Sequence, residues 1–208
     1  MWVYYYVSKD RVAQIAGQLC DEVPSEEIKR WDLEGEAGGH AGVETAALLS
    51  LIAKGRAEIS GKASATRSHE KRFTHADKAL VNQVREALMG KNCFVELSSD
   101  FDSGDPLRAE RLLRFRGNFA PVVRGNTPAE RLAEYHANEY LAWTGKCGMT
   151  SANFVTSSAS MVSPSPLYPV LTGEVPAMWL DGFATFFAAA EDRSIWMLPL
   201  FFGLEISE

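Results

Sequence analysis

Arg114 and Arg116 lie two apart in the stretch RLLRFRGNF. In an extended strand that spacing puts both guanidinium groups on one face, while Leu113, Phe115, Gly117 and Phe119 point to the other. An arginine fork binds phosphate or carboxylate bidentately, so the face that also carries Leu112 and Asn118 is a candidate site for a small anionic ligand. The stretch EYLAWTGK adds Tyr140 and Lys146 to it if the two strands pair in a suitable register. The same pattern also describes a solvated face whose arginines meet acidic neighbours, and the chain supplies 27 Asp and Glu against 21 Lys and Arg.

Three other groupings invite chemistry. His69 and His75, with Glu70 and Asp77 nearby, offer metal-ligand types, but their i, i+6 separation is not the i, i+4 spacing of a zinc helix. Polar residues at a helix start account for them better. Asp100, Asp102 and Asp105 suggest a calcium loop, yet an EF-hand counted from Asp100 needs glycine at its sixth position and glutamate at its twelfth. This chain has Gly104 one place early and Arg111 in the last place, so a turn between strands is the simpler reading. Cys147 stands beside Lys146, and a neighbouring cation lowers a thiol pKa. A nucleophile also needs a base, and only His136 of the four histidines is close in sequence. A structural cysteine at a strand end is preferred. No metal, no cofactor and no catalytic residue is assigned.

The elements that must position these residues follow from periodicity. WVYYYV at the start reads as a strand, and Ser8 as the N-cap of a helix whose apolar face is Val12, Ile15, Ala16 and Leu19. Residues 29 to 37 and 54 to 66 alternate strictly and carry opposite charges, which predicts neighbouring antiparallel strands joined by the apolar stretch AGVETAALLSLIA. The second of them has one face of Gly and Ala with a single Ile. Such a face packs close to a neighbour, pairs with another chain, or inserts into a membrane as a β-hairpin. Membrane strands need large lipid-facing side chains, which favours the first two.

Thr74 with Asp77 forms a capping box for a helix buried along Ala76, Leu80, Val84 and Leu88 and ending at Gly90. CFVELSS and RLLRFRGNF are strands. Thr127, Pro128 and Glu130 announce a further helix, and EYLAWTGK another strand. SSASMVSPSPLYP reads as a Ser and Pro loop. AMWL, Asp181-Gly182 and FATFF read as a hairpin, and SIWMLPLF as a last strand. The expected fold is α+β: a largely antiparallel β-sheet, as a sandwich or partly closed barrel, with two or three packed helices in a single domain over 1-208. The C-terminal strands are apolar on both faces, so a second sheet or a partner subunit must cover them, the latter making a homo-oligomer.

Across 208 residues the formal net charge is -6, which disfavours general binding to nucleic acid or anionic lipid. Three widely spaced cysteines without a CxxC pair suit a reducing compartment, and the opening residues lack the pattern of a signal peptide. The apolar run IWMLPLFFGL falls well short of the ~20 residues of a spanning helix. A cytoplasmic protein without a transmembrane helix is expected.

YYYVSKDRVAQIAGQL, the sections DLEGEAGG and GKASA, the helix ADKALVNQVREAL, the strand RLLRFRGNF, the segment TSANF and a late LTGEV together resemble an uncharacterised bacterial family known only as a domain of unknown function. The resemblance covers most of the chain. It implies a single-domain, bacterial, cytoplasmic protein and offers no catalytic residues to carry over. The functional expectation is a non-enzymatic binding or regulatory module for a partner protein or small anionic ligand, an accessory component of a bacterial signalling or defence system. The alternatives are a hydrolase of a phosphorylated or nucleotide substrate, with acids from residues 100 to 105, and a membrane-active effector built on the two alternating strands.

Overall fold

A computed structural model describes residues 1–19, 73–97, 112–190 and 192–206. The two alternating segments, their apolar connector, His69, Glu70 and the aspartates at 100 to 105 lie outside those residues. Seven strands and four α-helices are described: β1 (Trp2–Val7), α1 (Lys9–Leu19), α2 (His75–Lys91), β2 (Phe94–Leu97), β3 (Leu112–Pro121), α3 (Pro128–Ala137), β4 (Tyr140–Cys147), β5 (Thr150–Ser157), α4 (Tyr168–Thr172), β6 (Met178–Ala189) and β7 (Ile195–Glu205).

Five of the strands close into a barrel. Around the ring β3 pairs with β4, β4 with β5, β5 with β7, β7 with β6, and β6 with β3. Every one of these pairings is antiparallel except β5 with β7. The α+β, largely antiparallel expectation holds, and of the two architectures it allowed the barrel is the one formed. Closure works because β3 and β7 are long enough to be shared. The far half of β3 meets β4 while its near half carries β2, and the near half of β7 meets β5 while its far half carries β1.

Strand alternation then sorts the side chains. Leu113, Phe115 and Phe119 of β3, Trp143 of β4, Phe154 of β5, Leu180 of β6 and Met197 and Phe202 of β7 are fully buried together in the barrel. Phe154 sits among Phe115, Phe119, Trp143 and Phe202 with ring centroids 5.1 to 5.9 Å apart. Each buried ring contributes about 1.5–3 kcal/mol through area alone. The opposite faces of β1, β6 and β7 are covered by α1 and α2, where Val12, Ala13, Ala16, Leu80, Val84 and Leu88 pack on Trp2, Tyr4, Phe183, Leu200 and Phe201. The outer face of the C-terminal strands is thus covered from within the chain at Asp181, Phe183, Leu200 and Phe201, and is half-buried or exposed at Trp179, Thr185, Phe187, Trp196 and Leu198.

The N-terminal signals of α2 and α3 hold. Thr74 and Asp77 form the expected capping box, as do Thr127 and Glu130 with Pro128 in the first turn. The buried face of α2 is Leu80, Val81, Val84 and Leu88. This helix runs past Gly90, and Asn92 rather than glycine supplies the left-handed residue that ends it, at φ 50°.

Two expectations are corrected. Asp181-Gly182 is not a turn: β6 runs straight through it to Ala189, and the reversal comes after it, where the Arg193 N–H donates to the Ala190 carbonyl and Arg193 takes φ 64°. Gly182 faces the interior, and a Cβ there would lie 2.5 Å from the Phe201 carbonyl oxygen and 2.8 Å from the Phe115 ring. The residue is small because the barrel is tight at that point. The Ser and Pro stretch is not a plain loop either. It forms two 3-10 turns (Ser158–Ser160 and Ser165–Leu167) and leads into α4, whose Val170 and Leu171 join Leu167 and Tyr135 of α3 in the barrel core.

Candidate anion-binding face

The outer face of β3 beyond the helices carries Arg114, Arg116, Asn118 and Ala120, as the parity of the sequence requires. Register fixes the neighbours. Asn118 pairs with Lys146 of β4 on one side and with Trp179 of β6 on the other, so Lys146, Asn118 and Trp179 form one row across three strands. Ala120 pairs with Thr144 in the next row. β3 and β4 approach closely here: a Cβ on Gly117 would collide with the Lys146 carbonyl oxygen. These residues, with Arg116 and Ala177, line an open cavity of about 470 Å³.

Of the four residues singled out in the sequence, the structure brings two together. Arg116 and Lys146 are exposed and share that cavity. Arg116 Nη2 donates to Glu96 Oε1 at 3.2 Å across the β2 side, between two half-exposed side chains. Among the described residues no carboxylate pairs with Lys146.

Arg114 is spent elsewhere. Its Nε donates to Asp181 Oδ1 at 3.3 Å and its Nη2 to Asp181 Oδ2 at 3.0 Å, with side chains only 12% and 9% exposed. The guanidinium also lies 5.8 Å from the centroid of the Phe183 ring and 3.5 Å from Glu96 Oε1. Burial alone lowers the Arg114 pKa, but hydrogen bonds and charge from Asp181, and charge from Glu96 and Glu205, outweigh it and hold the pKa above its ordinary value. Tyr140 is separate from all of these. It has the parity of Lys146, but β4 pairs with β3 only from Trp143 to Lys146. Tyr140 instead packs with Ala142 and Val155, beside half-buried Phe187, Trp196 and Leu198, and its hydroxyl donates to Glu139 at 3.2 Å.

The other candidates resolve as structural. Cys147 is fully buried, and burial pushes its thiol up to about 12, so the cation beside it in sequence does not activate it. Asp77 is buried as the capping partner of Thr74 and accepts a hydrogen bond from Lys9 Nζ at 3.1 Å. His136 packs its ring against Tyr135 at 5.1 Å.

Sequence reasoning missed Trp179, which was grouped with the residues of a doubly covered strand and is 50% exposed. Its signal was parity: once β6 runs through Asp181-Gly182, Trp179 shares its face with Asp181, the charged side. No protein-family model, no curated protein and no solved structure matches this chain.

Proposed function

We propose that this protein is a non-enzymatic binding module, an accessory or regulatory component, whose ligand is a small anion seated on the outer barrel face between Arg116 and Lys146. The observation that supports this most is that those two exposed cations, from different strands, line one concavity in a chain of net charge -6. Lys146 has no ion-pair partner among the described residues, and Glu96, the partner of Arg116, is itself solvent-facing and exchangeable. The described lining holds no carboxylate, imidazole or thiol; it offers charge and hydrogen bonds, which suits holding an anion. Among the described residues no helix is long and apolar enough to cross a membrane.

The test is thermal stabilisation by a panel of phosphorylated and carboxylated metabolites at low ionic strength, on the wild type and on R116A/K146A. A ligand present at about 100 times its dissociation constant adds about 2.7 kcal/mol. Stabilisation of the wild type by one class of anion, lost in the double variant with the unliganded melting temperature nearly unchanged, supports the proposal. Equal stabilisation of both proteins, or of neither, overturns it.

A further inference from the structure

We infer that the anion is the phosphate of a nucleoside phosphate, whose base lies on Trp179. This deepens the anion reading above and rests on it. Trp179 is the largest side chain of the cavity and stays 50% exposed, while Leu180, Asp181 and Phe183 that follow it on β6 are buried. An exposed indole presents a broad flat face on which a planar π-system stacks. Small residues, Ala177 and Ala120, line the same cavity and leave room above the sheet.

The row across the sheet sets the spacing. Trp179 and Lys146 flank Asn118 on either side, two strand separations or ~10 Å apart, and Arg116 lies two residues along β3 from Asn118, ~7 Å away. Arg116 is the diagonal neighbour of Trp179, ~8 Å away, and among the described residues no cation lies over the indole. A ligand with a flat ring at one end and a negative charge at the other fits that arrangement, whereas a bare anion leaves the indole unused. Between the two ends Asn118 offers an amide with donors and an acceptor, a group that reads the edge of a nucleobase. A cavity of about 470 Å³ is in the ordinary range for small-molecule sites.

The experiment is calorimetric titration of the full chain with the four nucleoside 5′-monophosphates, ribose 5-phosphate and inorganic phosphate, on the wild type, W179F, W179A and R116A/K146A. At least one nucleotide is expected to bind at least about tenfold more tightly than ribose 5-phosphate, the size of one aromatic–base stack. W179A should remove that difference and leave ribose 5-phosphate binding unchanged, W179F should keep most of it, and R116A/K146A should abolish binding of all phosphates. If nucleotides and ribose 5-phosphate bind equally to the wild type, and both are lost in R116A/K146A, the nucleotide inference is overturned and the anion site stands. If nucleotides bind R116A/K146A as well as the wild type, both fail; if no phosphate binds at all, the nucleotide inference is overturned and the anion reading stands or falls on the carboxylates of the panel above.

Discussion

Replacing Arg114 with alanine should destabilise the fold severely, whereas the same change at Arg116 should be nearly silent. The two arginines are two residues apart on one strand face, so the contrast isolates their surroundings. Arg114→Ala leaves Asp181, with a side chain 9% exposed, without its bidentate partner. Removing one member of a buried pair costs about 3–5 kcal/mol, because the remaining charge stays desolvated. The lost contact with the Phe183 ring adds roughly 0.5–1 kcal/mol, and the longer pair with half-exposed Glu96 little. At roughly 2–4 °C of melting temperature per kcal/mol for a chain of this size, a loss of about 3.5–6 kcal/mol reads as about 7 to 24 °C. Arg116→Ala removes only a pair between side chains 48% and 42% exposed, about 0–1 kcal/mol. The assay is urea or thermal unfolding of R114A, R116A, D181A and R114A/D181A. The double variant should be less destabilised than the sum of R114A and D181A, since it strands no charge. The reasoning is refuted if R114A is as mild as R116A, or if the R114A and D181A effects simply add.

Gly182→Ala should destabilise by at least about 1–3 kcal/mol in the same assays, since the added methyl meets the Phe201 carbonyl and the Phe115 ring; a neutral variant would mean the barrel relaxes there. At Asp77, burial raises the carboxyl pKa, but hydrogen bonds from the Thr74 backbone N–H and from Lys9 outweigh it, so the folded value lies below the ordinary one. The associated stability is present above the unfolded value near ~3.9 and is lost as pH falls through the folded value. Asp77→Asn should therefore flatten the acid limb of the stability curve, and Thr74→Ala should cost about 1 kcal/mol at neutral pH. Cys147 behaves in the opposite sense: its thiol, raised to about 12, ionises near ~8.5 in the unfolded chain, so stability should decline from about pH 8.5 upward, and Cys147→Ala should remove that share of the decline. At pH 8 a thiol reagent should reach Cys147 only as fast as the barrel opens.

What could be read from the sequence was what is decided locally. The capping boxes at Thr74 and Thr127 place a side-chain oxygen and a backbone N–H within one turn, so the residues alone announce α2 and α3. The face of β3 was equally legible, because alternation along one strand needs no partner. What failed depended on partners far along the chain. Asp181-Gly182 has the composition of a tight hairpin, yet Asp181 answers Arg114, 67 residues away, and Gly182 answers Phe201 and Phe115. Tyr140 was joined to the arginines by parity, but register carries that end of β4 beyond the end of β3 and leaves it paired with β5. Arg114 and Arg116 were indistinguishable in sequence, and only burial beside Asp181 separates the structural one from the exposed one. The exposure of Trp179 depended on the course of β6, which the misplaced turn hid.

The central claim is that the cavity of Arg116 and Lys146 holds a small anion. Its most direct test is native mass spectrometry of the wild type and of R116A/K146A, each purified gently from the cells in which the protein naturally occurs. The account predicts that folded wild-type protein carries an additional mass, released on denaturation as an anionic small molecule, and that equally folded R116A/K146A does not. The same added mass on both proteins, or none on either, would contradict it.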